Sequence, residues 1–236
     1  MDHHKGKIMV HITWGIIIAC GKGEQIAPEV DTPFLNLGSK PVLAYSLAVY
    51  EQCQDVSGVV VVVNKDRIES VLGMAQMFGF SKVQKVVAGG SSRQTSVANG
   101  LKALPEDVSI VSVHDASRPC VTVELLSETI KTAKRYGSGV AATEVDDAVK
   151  EVEKGFFVRK TVSGGSLWLA QSPQTFRRDL LQKGYHTAGK KKVSVQDDSS
   201  AVELVSEDVR LVPAGLVNIK VKSAGDFNMA MSLLKL

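Results

Sequence analysis

The chain of 236 residues is long enough for one sizeable domain, and its 44% hydrophobic and 22% charged content excludes a disordered tail or a fibrous repeat. Its 28 Lys and Arg against 25 Asp and Glu leave a net charge of +3, too little to predict a nucleic-acid or anionic-membrane partner. Cys20, Cys53 and Cys120 form no C-x-x-C pair and are odd in number, which predicts free thiols rather than a disulfide framework or a structural zinc site. The apolar stretch 14–20 is too short for a signal peptide or a membrane span, and a cytoplasmic protein is expected.

In chain order, buried-strand patterns fall at 12–19, 56–63, 82–87 and 109–113. Between them, 41–52, 67–78 and 92–104 space apolar side chains three and four apart. That alternation predicts an α/β fold, a mostly parallel sheet covered by helices and joined by right-handed crossovers. Beyond about residue 143 the rhythm changes. Short strands at 149–153 and 156–162, with Gly155 for the turn, predict a projecting hairpin. Helices at 177–187 and 199–205, a strand at 209–212, an extended segment at 218–221 and a helix at 226–234 follow. No repeat or linker demands a second unit, so one domain spanning 1–236 is expected.

Ligands of open parallel sheets bind beyond the carboxyl ends of the strands, and four segments fall there. Ala19-Cys20-Gly21-Lys22-Gly23 lets backbone N–H groups approach a phosphate or a base, or is a plain structural turn. It lacks a P-loop ending and the third glycine of a dinucleotide fingerprint. Gly89-Gly90-Ser91-Ser92-Arg93 is a second glycine-rich turn, in which helix capping alone would explain the serines. His114-Asp115-Ala116-Ser117-Arg118-Pro119 offers a carboxylate for a divalent metal or a hydroxyl and a guanidinium for a phosphate, or else an Asp–Arg pair that stiffens the loop. His114 reads as a structural histidine rather than a base. Asn218-Ile219-Lys220-Val221-Lys222 would turn both lysines to one face if extended. Ser117, His114 and Asp115 stand too close in sequence to form a hydrolase triad.

Taken together, Ala19-x-Gly21-x-Gly23, Gly89-Gly90 with Arg93 and Ser96, His114-Asp115-x-x-Arg118-Pro119, Trp168 with Ser172-Pro173-Gln174-x-Phe176, Asp197-Asp198-x-Ser200 and Asn218-Ile219-Lys220 resemble the 2-C-methyl-D-erythritol 4-phosphate cytidylyltransferases over roughly residues 12–235. The related ribitol 5-phosphate cytidylyltransferases share much of this pattern. The resemblance implies a Rossmann-like nucleotidyltransferase fold and a homodimer formed through an arm at about 147–162. It also implies CTP, a sugar-alcohol phosphate acceptor and a divalent metal, usually Mg2+. Ala19, Cys20, Gly21, Gly23, Gly89, Gly90, Ser91, Arg93 and Ser96 would hold the nucleotide. Asp115 would face the metal or a polyol hydroxyl, Arg118, Ser172 and Asp197 the acceptor, and Lys220 the phosphates.

Several family positions carry different residues here. Gln25 stands where the family has Arg, Asp31-Thr32 where it has Pro-Lys, Gly164 where an arm Arg reaches the partner's acceptor, and Ala148 and Gln196 where Thr is usual. Residues 21–33 carry Lys22 against Glu24, Glu29 and Asp31, a formal −2, which opposes a triphosphate. The resemblance therefore leaves three readings: an active cytidylyltransferase with other cations recruited (Lys22, Arg159, Lys160 or Lys190 to Lys192), a nucleotide-binding homologue without transfer, or a nucleotidyltransferase of altered nucleotide or sugar specificity, which would explain the changed acceptor residues but not the acidic loop.

Overall fold

The computed structural model describes residues 11–20, 26, 31–162 and 164–236. The first strand, β1 (Ile12–Ala19), is followed by the two-residue strands β2 (Asn36–Leu37) and β3 (Lys40–Pro41), then α1 (Val42–Gln52) and β4 (Gly58–Val63). Next come α2 (Ile68–Phe78), β5 (Val83–Ala88), α3 (Arg93–Ala103), β6 (Val108–Asp115), α4 (Val123–Tyr136) and β7 (Ser138–Glu144). The hairpin β8 (Val149–Val152) and β9 (Val158–Val162) precedes β10 (Trp168–Arg177), α5 (Arg178–Lys191), α6 (Asp198–Glu203), β11 (Leu211–Pro213) and α7 (Ala224–Leu233).

The main sheet has seven strands in the order β11-β7-β10-β6-β1-β4-β5. All neighbours are parallel except β10, which runs antiparallel to both β6 and β7. This is the expected mostly parallel sheet with helices on both faces. The valine run of β4 is buried at every position because it lies between β1 and β5 and is covered twice. Ile17, Val59, Val61 and Val63 face α1, α2 and α4, whereas Ile16, Ile18, Val60 and Val62 face α3, α5 and α6. Period-two alternation thus supplies two cores from one set of strands.

The first half follows the sequence periodicity to within a few residues. The pattern did not single out α4, β7 or β10. Thr122 caps α4 by accepting from Leu125 N at 3.2 Å, and the helix shows a buried stripe at Leu125, Leu126, Thr129, Ile130 and Ala133. The segment 218–221 departs from expectation, since it forms no strand. Val221 N donates to Ser117 O at 2.8 Å, and the segment passes the end of the sheet as irregular chain. The hairpin does form: β8 and β9 pair antiparallel as a separate sheet, and Gly155 turns it at φ +86°, where a side chain would be strained. All three cysteines are free thiols. Among the described residues no helix is long and apolar enough to cross a membrane.

Candidate functional site

The chain builds β1, β4 and β5 outward in one direction, then returns to lay β6 on the other side of β1. That reversal opens a crevice beyond the carboxyl ends of β1 and β6, where open α/β sheets take their ligands. Ala19 and Cys20 leave β1 into it, Gly89 to Ser92 leave β5, and Asp115 closes β6. Gly21 and Gly23, together with Lys22 and Gln25, lie outside the described residues.

Two cavities meet there. One, of about 540 Å³, is walled by Ala19, Cys20, Gly90, Ser91, Ser96 and Thr32, among others. The other, of about 590 Å³, is walled by Arg118, Trp168, Ser172, Gln196, Asp197 and Ser200, among others. Arg93, Asp115, Lys220 and Lys222 line both and form the junction. The two lysines reach the crevice although the segment that carries them is not a strand.

The junction is a charge cluster with defined geometry. Lys220 Nζ donates to Asp115 Oδ2 at 2.9 Å, and Arg93 Nη2 donates to Asp115 Oδ1 at 3.2 Å and to Asp198 Oδ2 at 2.8 Å. Burial favours the neutral acid at Asp115, but Arg93 and Lys220 overcome it and hold the carboxyl well below the usual carboxylate range. Burial likewise opposes the Arg93 charge, and Asp198 and Asp115 outweigh it, raising its pKa. The sequence alternative of an Asp115–Arg118 loop pair is not what forms. Asp115 is taken by Arg93 and Lys220, and Arg118 Nη1 donates instead to Asn218 O at 2.7 Å. Burial lowers the Arg118 pKa, and its Nε has no hydrogen-bond partner among the described residues.

His114 is structural, as its position beside a strand end predicts. It is fully buried, with Ser172 Oγ 3.1 Å from Nδ1 and Ser46 Oγ 3.3 Å from Nε2. Arg118 O, which can only accept, lies 3.3 Å from Nε2, so Nε2 carries the proton of the neutral ring and Ser172 Oγ, which accepts from Asp115 N at 3.0 Å, donates to Nδ1. Burial drives the imidazole pKa down to about 4. A neutral ring thereby ties β10 to β6 just behind Asp115.

The glycine turn is held by packing. Ser92 and Thr95 form a reciprocal capping box at the start of α3. Ser96 Oγ accepts from Gly90 N at 3.0 Å and donates to Ser92 O at 2.9 Å, and Cys20 Sγ donates to Ser96 Oγ at 3.2 Å. A Cβ on Gly89 would stand 2.5 Å from Cys20 Sγ, so only glycine lets the β1 and β5 ends close together. Asp197 caps α6, accepting from Ser200 N at 2.8 Å and from Gln174 Nε2 at 2.8 Å. These bonds lower its pKa against the burial that opposes them. Ser172 lies where the register of β10 against β7 shifts, a bulge that brings its hydroxyl to the strand end. Sequence reasoning missed Asp198 as a partner of Arg93, and it missed Tyr185 altogether. An aspartate beside a better cap and a tyrosine on a helical stripe carry no separate signal.

The sequence model of the 2-C-methyl-D-erythritol 4-phosphate cytidylyltransferase family matches residues 13–235. A protein of that description from Desulforamulus reducens is 37% identical over 222 residues, covering 93% of this chain and 94% of its own. One from Alkaliphilus oremlandii is 33% identical over 221 residues, covering 93% and 94%. The crystal structure of 4-diphosphocytidyl-2C-methyl-D-erythritol synthase from Anaerococcus prevotii superposes with a TM-score of 0.83 at 25% identity, over 96% of this chain and 97% of that one.

Proposed function

This chain belongs to the 2-C-methyl-D-erythritol 4-phosphate cytidylyltransferase family, and from that premise we propose that the Asp115 junction is where its transfer occurs. CTP-dependent cytidylyl transfer in isoprenoid synthesis is the reaction of this enzyme class, with 2-C-methyl-D-erythritol 4-phosphate as acceptor. The observation that carries the assignment is the meeting of two cavities at one cluster of three cations and a carboxylate.

In this reading the glycine-walled cavity takes the nucleotide, and Gly89, Gly90, Ser91 and Ser96, with Ala19 and Cys20, shape its wall. The cavity bounded by Arg118, Ser172 and Asp197 takes the acceptor. An oxygen of the acceptor phosphate attacks the α-phosphorus of CTP. The bond from that phosphorus to the oxygen leading to the β-phosphate breaks, and pyrophosphate leaves with the electron pair. The attacking oxygen is already anionic, so no proton has to be removed, in keeping with a buried, neutral His114. What remains is positioning and charge neutralisation. Lys220, anchored on Asp115, faces the phosphates. Lys222 lines both cavities, and its ammonium makes no hydrogen bond or ion pair among the described residues, which leaves it free for substrate oxygens.

A magnesium ion fits this donor set in one mode. Among the described residues no group of three His, Cys, Asp or Glu could hold an ion unaided. Mg2+ is commonly bound by one or two carboxylates together with substrate phosphates, and Asp115 is the carboxylate so placed. When bound, the ion neutralises charge on the phosphates. The arm supports a homodimer of single-domain subunits: Phe156 is 90% and Phe157 75% exposed, and Val152 and Val158 also lie open, a surface that a second copy would cover.

A second reading, nucleotide binding without transfer, is favoured by one feature. Thr32, a neutral residue, is buried in the wall of the nucleotide cavity at a position where the family resemblance implies Lys. The test is pyrophosphate release with CTP, Mg2+ and 2-C-methyl-D-erythritol 4-phosphate, with ribitol 5-phosphate as rival acceptor, beside calorimetric CTP binding. Turnover that Asp115→Ala abolishes is the expected result. Binding without turnover, with activity appearing only in a Gln25→Arg/Thr32→Lys variant, overturns it in favour of the second reading.

A further inference from the structure

Arg93 opens α3, and its guanidinium bridges two carboxylates through a single nitrogen. Nη2 donates to Asp198 Oδ2 at 2.8 Å and to Asp115 Oδ1 at 3.2 Å. Nη1 is buried and has no partner among the described residues. An arginine facing a carboxylate ordinarily forms a two-nitrogen fork. Here it does not: Oδ1 accepts from the Tyr185 hydroxyl, which holds the carboxylate turned so that Oδ2 alone bonds the guanidinium. Asp198 is fully buried on α6, and Tyr185 is buried on α5. Burial and the neighbouring Asp198 anion both raise the Tyr185 pKa, so the phenol stays protonated and remains a donor.

We propose that Tyr185, acting through Asp198, is a positioning residue that confines the Asp198 contact to one guanidinium nitrogen and so reserves Nη1 of Arg93 for an anionic oxygen of the nucleotide. The proposal rests on the reading of the crevice as a nucleotide site. Without the hydroxyl nothing holds the Asp198 carboxylate in this orientation, so it can turn Oδ1 to Nη1, the fork closes, and the donor is lost to substrate. The phenyl ring itself packs in the core with Leu181 and Val202, so Tyr185→Phe removes the oxygen and keeps the packing.

Two measurements decide it. The first needs no substrate: side-chain NMR of the Arg93 guanidinium in the free full-length protein. The wild type should show one bonded and one unbonded Nη, and Tyr185→Phe should show both slowed by bonding. The second is calorimetric affinity for CTP with Mg2+ in Tyr185→Phe, Arg93→Lys and the double variant. Tyr185→Phe should weaken binding about tenfold, the scale of one charge-assisted hydrogen bond, while melting cooperatively. Arg93→Lys, which has no second nitrogen to reserve, should weaken it also, and the double variant should be no weaker than Arg93→Lys alone. A guanidinium spectrum unchanged by Tyr185→Phe overturns the proposal, as does strict additivity of the two substitutions. Failure of the wild type to bind CTP overturns the functional reading instead, and the guanidinium spectrum still decides the role of Tyr185.

Discussion

The junction and the arm both carry Arg, Lys, Asp and Glu in ion-pair geometry, yet the pairs differ in consequence. On the arm, Arg159 Nη1 lies 3.0 Å from Glu151 Oε1 and Lys160 Nζ 3.0 Å from Glu151 Oε2, with the Arg159 side chain 63% and the Glu151 side chain 38% exposed. At the junction, the Asp198 side chain is fully buried and that of Asp115 is 17% exposed. Water screens the arm's charges, whereas the charges of the crevice act on one another at close range and on any anion that enters. Similar distances therefore mark a solvated surface in one region and a partly buried charge cluster in the other.

The largest effect should come from breaking the junction. Asp115→Asn removes the charge that anchors both Arg93 and Lys220, and kcat for pyrophosphate release should fall about 10³-fold, as when a preorganised electrostatic group is lost from an active site. Retention of wild-type kcat would erase the contrast with the arm. Next in size is the apolar tip. If the arm forms the proposed homodimer, the wild type should sediment as a dimer and a Phe156→Asp/Phe157→Asp variant as a monomer at the same concentration, with the melting of each subunit little changed. An intact dimer in that variant would move the interface elsewhere.

A smaller effect concerns acid. The His114 pKa is lowered by burial from 6.5 to about 4, so the unfolded chain binds a proton there before the folded one does. Stability from this group is therefore complete above pH 6.5 and lost as pH falls from 6.5 to 4. His114→Gln should flatten the melting temperature against pH across that window, and an unchanged slope would assign the acid sensitivity to other groups. The smallest effect is on the arm's own charges. Glu151→Gln should leave the melting temperature within error of wild type, because exposed pairs are worth roughly 0–1 kcal/mol.

Much of this architecture is legible in the residues. The apolar run at 12–19 is β1 itself, the three-and-four spacing of 67–78 and 92–104 marks α2 and α3, and Gly155 marks the hairpin turn. The strands β7 and β10 are harder to read because β10 runs from an exposed start at Trp168 to a buried end at Phe176. No single period describes a strand that leaves the arm and enters the core. The Asn218 segment misleads for a related reason. Its alternation suits a strand, yet it joins none of the sheets, and Val221 N donates to Ser117 O while Asn218 O accepts from Arg118.

The sequence by itself determined the alternating strands and helices, the glycine turns and the residues that gather at the strand ends, because periodicity and backbone freedom act over a few residues. Which charges pair was decided only by the tertiary structure. Arg93 and Asp198 lie 105 residues apart, as do Asp115 and Lys220, and neither contact has a local signature. The return of the chain to place β6 beside β1 brings these groups together, and burial makes the Arg93–Asp198 pairing obligatory, since an ion removed from water must find its counter-charge within reach.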